Sequence, residues 1–169
     1  MLSPFSEAVS GDGIVSYGLT SAGYDLRLAD ELWVCKNTHS QVVDVCRMKE
    51  PGYCDNIYDK ITISPTYDLP PHSYILGRSM ERFQMPRYLV GRVTGKSTLA
   101  RAGVIVNVTP IEPGWTGFLT IEISNSSPSP VRLYINQGIA QVQFELNHRG
   151  VDVDYADKGG KYQDQVGVT

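Results

Sequence analysis

Pro113-Gly114-Trp115-Thr116-Gly117-Phe118-Leu119-Thr120-Ile121-Glu122-Ile123 is the stretch on which the reading of the fold turns. A tight Gly-containing turn feeds a segment of strict alternation, and in an extended chain successive side chains point to opposite faces. Leu119, Ile121 and Ile123 therefore share one face, which reads as the core face. Phe118, Thr120, Glu122 and Ser124 share the other.

Outward from this segment, short β-type runs predict strands at Tyr24–Leu28, Leu32–Lys36, Lys60–Ser64, Ser73–Met80, Tyr88–Val93, Val104–Val108, Gly117–Asn125, Val131–Ile135 and Ile139–Leu146. Turn signals part them: Pro65, Pro70-Pro71, Pro86, Pro110, Pro113-Gly114, Pro128, Pro130 and Gly138. Many short strands with a turn about every 8–12 residues predict an all-β sandwich or jelly-roll-like barrel. One short helix is expected near Lys96–Arg101, stopping before Gly103. The 169 residues suit a single domain with a real core.

Hydrophobic residues make up 41% and charged residues 20%, an ordinary globular balance. A net charge of −3 offers no broad basic face for nucleic acid, although a free nucleotide needs only a few local donors. Cys35, Cys46 and Cys54 are odd in number, and with His39, His72 and His148 they follow no metal-ligand spacing. That usage points to a reducing cytoplasm. Met1-Leu2-Ser3-Pro4-Phe5 does not open a signal peptide, and no apolar run approaches the ~18–20 residues of a membrane span.

Three segments could carry chemistry. Gly95-Lys96-Ser97-Thr98-Leu99-Ala100-Arg101 places backbone N–H groups, hydroxyls and two cations together, a combination that suits phosphate. It lacks the upstream Gly of a Walker loop, and seven such residues taken alone are more often a capped surface turn. Glu122, in mid-strand, is by default a solvated edge charge. If a partner subunit covers its face, the carboxyl leaves water, and a desolvated carboxyl can shuttle protons near neutrality. Asp25, in Ser21-Ala22-Gly23-Tyr24-Asp25-Leu26-Arg27, reads first as a structural aspartate holding a backbone N–H at the turn. The zinc-deaminase signature, a Glu beside His or Cys followed by Pro-Cys-x-x-Cys, is missing from the sequence. Deamination by this chain would have to activate water with protein groups. The polar, Gly-rich end, 155–169, reads either as a frayed tail or as a flap that orders over a ligand.

Together these segments resemble the dCTP deaminase family of the trimeric dUTPase-like superfamily. The resemblance runs from Val15-Ser16-Tyr17-Gly18 almost to the end of the chain. Its most specific parts are Gly95–Arg101, Val106-Asn107-Val108-Thr109-Pro110-Ile111-Glu112-Pro113-Gly114-Trp115, Leu119–Asn125 and Gly159-Gly160-Lys161-Tyr162-Gln163-Asp164-Gln165, four motifs in order. It departs at the front, where most of a leading helical segment is lacking, and the chain stops soon after Gln165.

The resemblance implies a distorted jelly-roll, dUTPase-like barrel over 1–154 and a C-terminal flap over 155–169. It implies a homotrimer with active sites between subunits, and magnesium held on the triphosphate. Glu122 would be the general acid/base, with Ser97 and Arg101 positioning the water and the phosphates or base. Lys96 would add charge near the triphosphate, and Thr120 and Ile121 would meet the pyrimidine or sugar through their backbone. Gln141, Tyr155, Lys161 and Gln165 would hold the triphosphate, and Thr98, Leu99, Ala100 and Glu112 complete the binding set. The expected reaction converts dCTP to dUTP and ammonia, with feedback by dTTP. Two rivals stand beside it: a bifunctional enzyme that also releases dUMP and pyrophosphate, and a non-catalytic nucleotide-sensing trimer.

Overall fold

The protein is described by a computed structural model covering residues 1–36, 42–48 and 50–168; His39 and Thr169 lie outside the described residues. The strands are β1 (Leu2–Ser3), β2 (Val9–Gly11), β3 (Ile14–Leu19), β4 (Tyr24–Cys35), β5 (Tyr58–Thr62), β6 (Thr66–Leu69), β7 (Tyr74–Gln84), β8 (Leu89–Gly95), β9 (Val104–Asn107), β10 (Thr116–Asn125), β11 (Val131–Tyr134) and β12 (Gly138–Leu146). Two short helices join them, α1 (Tyr53–Ile57) and α2 (Ser97–Arg101), with a 3-10 turn at Val45–Arg47.

Ten strands make one sheet along the order β2-β3-β4-β7-β10-β9, while β6 and β11 form a separate pair. The large sheet curls because β12 pairs with both β4 and β8, so its strands wrap one core. All pairings between named strands are antiparallel, which lets short turns connect them. No helix among the described residues is long and apolar enough to cross a membrane.

The alternation read in β10 holds. Gly117, Leu119, Ile121, Ile123 and Asn125 are buried, and the residues between them are half-buried. Leu26, Leu28, Leu32, Ile75, Phe83, Leu133 and Ile139 complete the interior around Ile121 and Ile123. Inside β7 the inward positions turn polar at Ser79 and Glu81. Glu81, 0% exposed, accepts from the backbone N–H of Arg27 at 3.0 Å and its Nε at 2.7 Å. Removing Arg27 alone would strand that carboxylate in the core, at a cost of about 3–5 kcal/mol. Ser79 Oγ donates to Glu81 O at 2.7 Å and accepts from Leu119 N at 2.9 Å. The second bond lies where β10 slips register between Phe118 and Thr120, and it satisfies a backbone donor that the ladder leaves over.

Four features depart from the sequence reading. Tyr24–Leu28 and Leu32–Lys36 are one strand, β4, because Ala29-Asp30-Glu31 form an irregularity against β7 instead of a turn. Such a bulge lets acidic residues sit in mid-strand. β1, β2, β3 and β6 were not expected; they are short, and β2 and β3 mix Gly and Ser with apolar residues. The single expected helix, α2, is joined by α1, hidden behind the turn signal Pro51-Gly52. The tail also adds core: Val168 is buried with Trp33, Tyr53, Ile57 and Tyr58 in a second apolar cluster.

Candidate active site

β10 is clamped between β7 and β9, with Leu76 and Asn107 in register on either side of Glu122. Glu122 opens into a cavity of about 690 Å³, walled by the Val108–Glu112 loop, Trp115, Leu119, Thr120 and the tail residues Tyr155, Tyr162 and Gln165. Two donors fix its carboxylate. Asn107 Nδ2 donates to Oε2 at 3.1 Å, and Ser124 Oγ donates to Oε1 at 3.0 Å. Charge-assisted bonds of this kind orient the group. Nearby, burial pushes the Tyr58 hydroxyl above its ordinary value; its bond with Tyr74 works the other way, and the charge of Glu122 adds a smaller upward push.

The tail closes this cavity on the same chain. Tyr155 N donates to Pro113 O at 3.0 Å, and Asp164 N donates to Thr116 O at 2.8 Å. Phe118 N donates to Gln165 O at 2.9 Å, next to a parallel bridge between Gly117 and Gln165. A Cβ on Gly117 would stand 2.9 Å from the Gln165 nitrogen, so this approach requires Gly. Gln165 Nε2 donates to Thr120 Oγ1, and Trp115 Nε1 donates to Tyr162 O at 2.7 Å. Gly160 packs flat on the Tyr155 ring, where a Cβ would overlap the ring carbons. That contact explains one of the paired glycines. The start of the tail is polar: Arg87 binds Asp154 at 3.0 Å and Asp157 at 2.6 Å, and Asp157 N donates to Asp154 Oδ1 at 2.8 Å. The Asp157 N–H, with Arg87 behind it, holds the Asp154 carboxyl below the usual carboxylate range.

The residues expected at the site fall into three places within one chain. Glu122, Thr120, Glu112, Tyr155 and Gln165 line the cavity. Glu112 also stands 4.0 Å from Lys158. Ile121 is fully buried in the core and does not line the cavity. The residues from Lys96 to Arg101 do not line the cavity, nor does Gln141. Ser97, Thr98, Ala100 and Arg101 are exposed on α2, while Leu99 anchors that helix in the core. Lys96 forms an ion pair with Asp25 and donates to Ser16 Oγ at 3.3 Å. Gln141 Nε2 donates to Asp25 Oδ1 at 3.0 Å. Asp25 thus gathers side-chain donors, not the backbone N–H expected of it. Lys161 lines a separate cavity on the other side of the tail.

A family model described as dCTP deaminase-like matches residues 9–147. The chain belongs to the dCTP deaminase-like family. A dCTP deaminase of Roseiflexus castenholzii is 50% identical over 169 residues, covering 99% of this chain and 88% of that protein. One from Campylobacter lari is 48% identical, covering 100% of this chain and 88% of the relative. Among solved structures, the 2'-deoxycytidine 5'-triphosphate deaminase of Agrobacterium tumefaciens superposes with a TM-score of 0.61 at 19% identity. That match covers 83% of this chain and 43% of the other, and it shows the shared fold. Within the dCTP deaminase-like frame, sequence reasoning missed the two donors to Glu122. Ser124 could be read as a neighbour on its face; Asn107 becomes its neighbour only through the β9–β10 register.

Proposed function

We propose that this chain is a dCTP deaminase, turning dCTP and water into dUTP and ammonia. The observation that carries the reading is Glu122: a carboxylate with a donor on each oxygen, set in a cavity beneath a closed tail. Water attacks C4 as Glu122 takes one of its protons and gives it to ring N3. Glu122 then carries the remaining hydroxyl proton to the amine, which leaves as ammonia while C4 becomes a carbonyl. Water activation is assigned to protein groups because the chain has no Pro-Cys-x-x-Cys pair. Magnesium would arrive on the triphosphate as part of the substrate.

Ser97 and Arg101 are exposed and away from the Glu122 cavity of their own chain, so we assign them to the site of a neighbouring copy in a homotrimer. In this assembly the neighbour's α2 helps place water and phosphates, and the Tyr155–Gln165 tail acts as the flap. The three cysteines are free, which fits a cytoplasmic enzyme.

Incubation with dCTP and magnesium, followed by product analysis, tests the reading: ammonia and dUTP are expected in equal amounts. Appearance of dUMP with pyrophosphate would make the enzyme bifunctional, and dCTP binding without product would make it a sensor. In Glu122→Gln, ammonia release should fall by at least about 100-fold, the lower end of what general acid/base groups supply, while dCTP still binds. Undiminished turnover in that variant overturns the mechanism.

A further inference from the structure

Glu31 is an acidic residue in the middle of β4, where the sequence predicts a break between two strands. Both of its carboxylate oxygens are engaged. Val168 N, in the tail, donates to Oε1 at 3.2 Å, and Arg78 Nε donates to Oε2 at 3.0 Å. Arg78 also donates from Nη1 to Ser79 O at 3.2 Å and lies 4.8 Å over the Phe118 ring. Phe118 N donates to Gln165 O at 2.9 Å, so this chain of contacts returns to the tail.

Glu31, Arg78 and Val168 do not line the Glu122 cavity. Gln165 connects them with it. Its Nε2 donates both to Thr120 Oγ1, on the cavity wall, and to Gly167 O at 3.0 Å. The Gly167 carbonyl and the Val168 N–H belong to one peptide unit, which is planar and stiff. Gln165 grips one edge of that unit and Glu31 the other. The Val168 side chain, buried among Trp33, Tyr53, Ile57 and Tyr58, anchors it further. A second ion pair to this part of the tail, Arg82 with Asp164 at 3.3 Å, is exposed on both sides, and such pairs contribute little.

We propose that Glu31 is a positioning residue for the Glu122 cavity: through the Gly167–Val168 peptide it holds the Gln165 side chain beside Thr120. The hold on the tail stands on these contacts alone; its effect on turnover rests on the reading of the chain as a dCTP deaminase with the tail as flap. Once the hold is lost, only the fraction of chains with Gln165 in place is ready for substrate, and apparent affinity falls by that fraction. The bound state itself is the same, so the chemical step is spared.

Hydrogen exchange in the full chain tests the hold without substrate. In Glu31→Ala the Phe118 amide, which bonds Gln165 O, should exchange at least about fivefold faster, the contribution of one ordinary hydrogen bond. The amides of Ile121 and Ile123 should keep their protection, which shows that the sheet is intact. Glu31→Gln keeps an oxygen for Val168 N and should recover part of the loss. Val168→Ala, which alters no residue of the sheet, should loosen Phe118 by at least about fivefold as well. With dCTP and magnesium, KM of Glu31→Ala should rise, by no more than the exchange factor, while kcat stays within about twofold of the unaltered chain. Unchanged Phe118 exchange, or a Gln variant no better than Ala, overturns the hold. Faster exchange with the whole kinetic loss in kcat, or with KM unchanged, overturns the positioning role. If Glu31→Ala also exposes Ile121 and Ile123, the Val168→Ala and Glu31→Gln results decide in its place. A chain that releases no ammonia from dCTP would strike the deaminase reading instead, and the exchange rates would still decide what Glu31 holds.

Discussion

Glu122 is held by groups from two elements: Ser124 shares its strand, while Asn107 reaches across from β9. Under the proposed mechanism Glu122 gives and receives protons at one ring position, and such a group depends on this grip, because small misplacements of a reacting group are costly. A hydrogen bond to a charged group contributes about 1.5–3 kcal/mol, so Asn107→Ala is expected to lower kcat by about 10- to 100-fold. KM for dCTP should change much less, since the Asn107 amide bonds the carboxylate proposed to carry the proton. Steady-state kinetics would show the split; an equal loss through KM alone would mean that Asn107 serves binding. Asp25, Lys96 and Gln141 form a comparable knot on the opposite side of the problem. The family resemblance named Lys96 and Gln141 but could not say that an aspartate already engages both.

Among the elements, the tail carries the clearest pH signature. The Asp154 carboxyl sits below its ordinary range in the folded chain, so its contribution to closure is complete above the unfolded value of about 3.9. As pH falls through the lowered folded value, the carboxyl protonates and that contribution is lost. Protection of the Trp115 indole N–H, which bonds Tyr162 O, should therefore drop below about pH 4, before the sheet's ellipticity changes. In Asp154→Asn, protection should be reduced at neutral pH and should vary little with acid. Much of this architecture was legible beforehand. The nine expected runs fall in eight strands, two of them merged in β4, because alternation and β-branched apolar runs are signals that survive without tertiary context. Short edge strands such as β2 and β6 exist only because a neighbour offers hydrogen bonds, and α1 begins at a Gly that reads as a turn. The docking of 155–168 was equally hidden: its polar residues bond to β10 and the loop before it through backbone groups, which no side-chain pattern records.

For the whole molecule, the question is which copy completes which site. If Glu122 works with Ser97 and Arg101 of a neighbour in a closed ring, Glu122→Gln and Arg101→Ala trimers are each inactive. Mixing them equally, with dissociation and reassembly, should restore about a quarter of wild-type ammonia release, since one subunit pair in four brings two intact halves together. A site built within one chain would recover nothing, because every chain then carries one lesion. β10 has a further use in the laboratory. Its inward residues are packed in the core, whereas Phe118, Thr120 and Ser124 share the face of Glu122 with partial access to solvent. Randomising Thr120, which lines the cavity, while keeping Glu122 and its donor Ser124 gives a small set of variants in which pyrimidine preference can be selected with the core face untouched, as though evolution had printed the recognition text and the structural text on opposite sides of one ribbon.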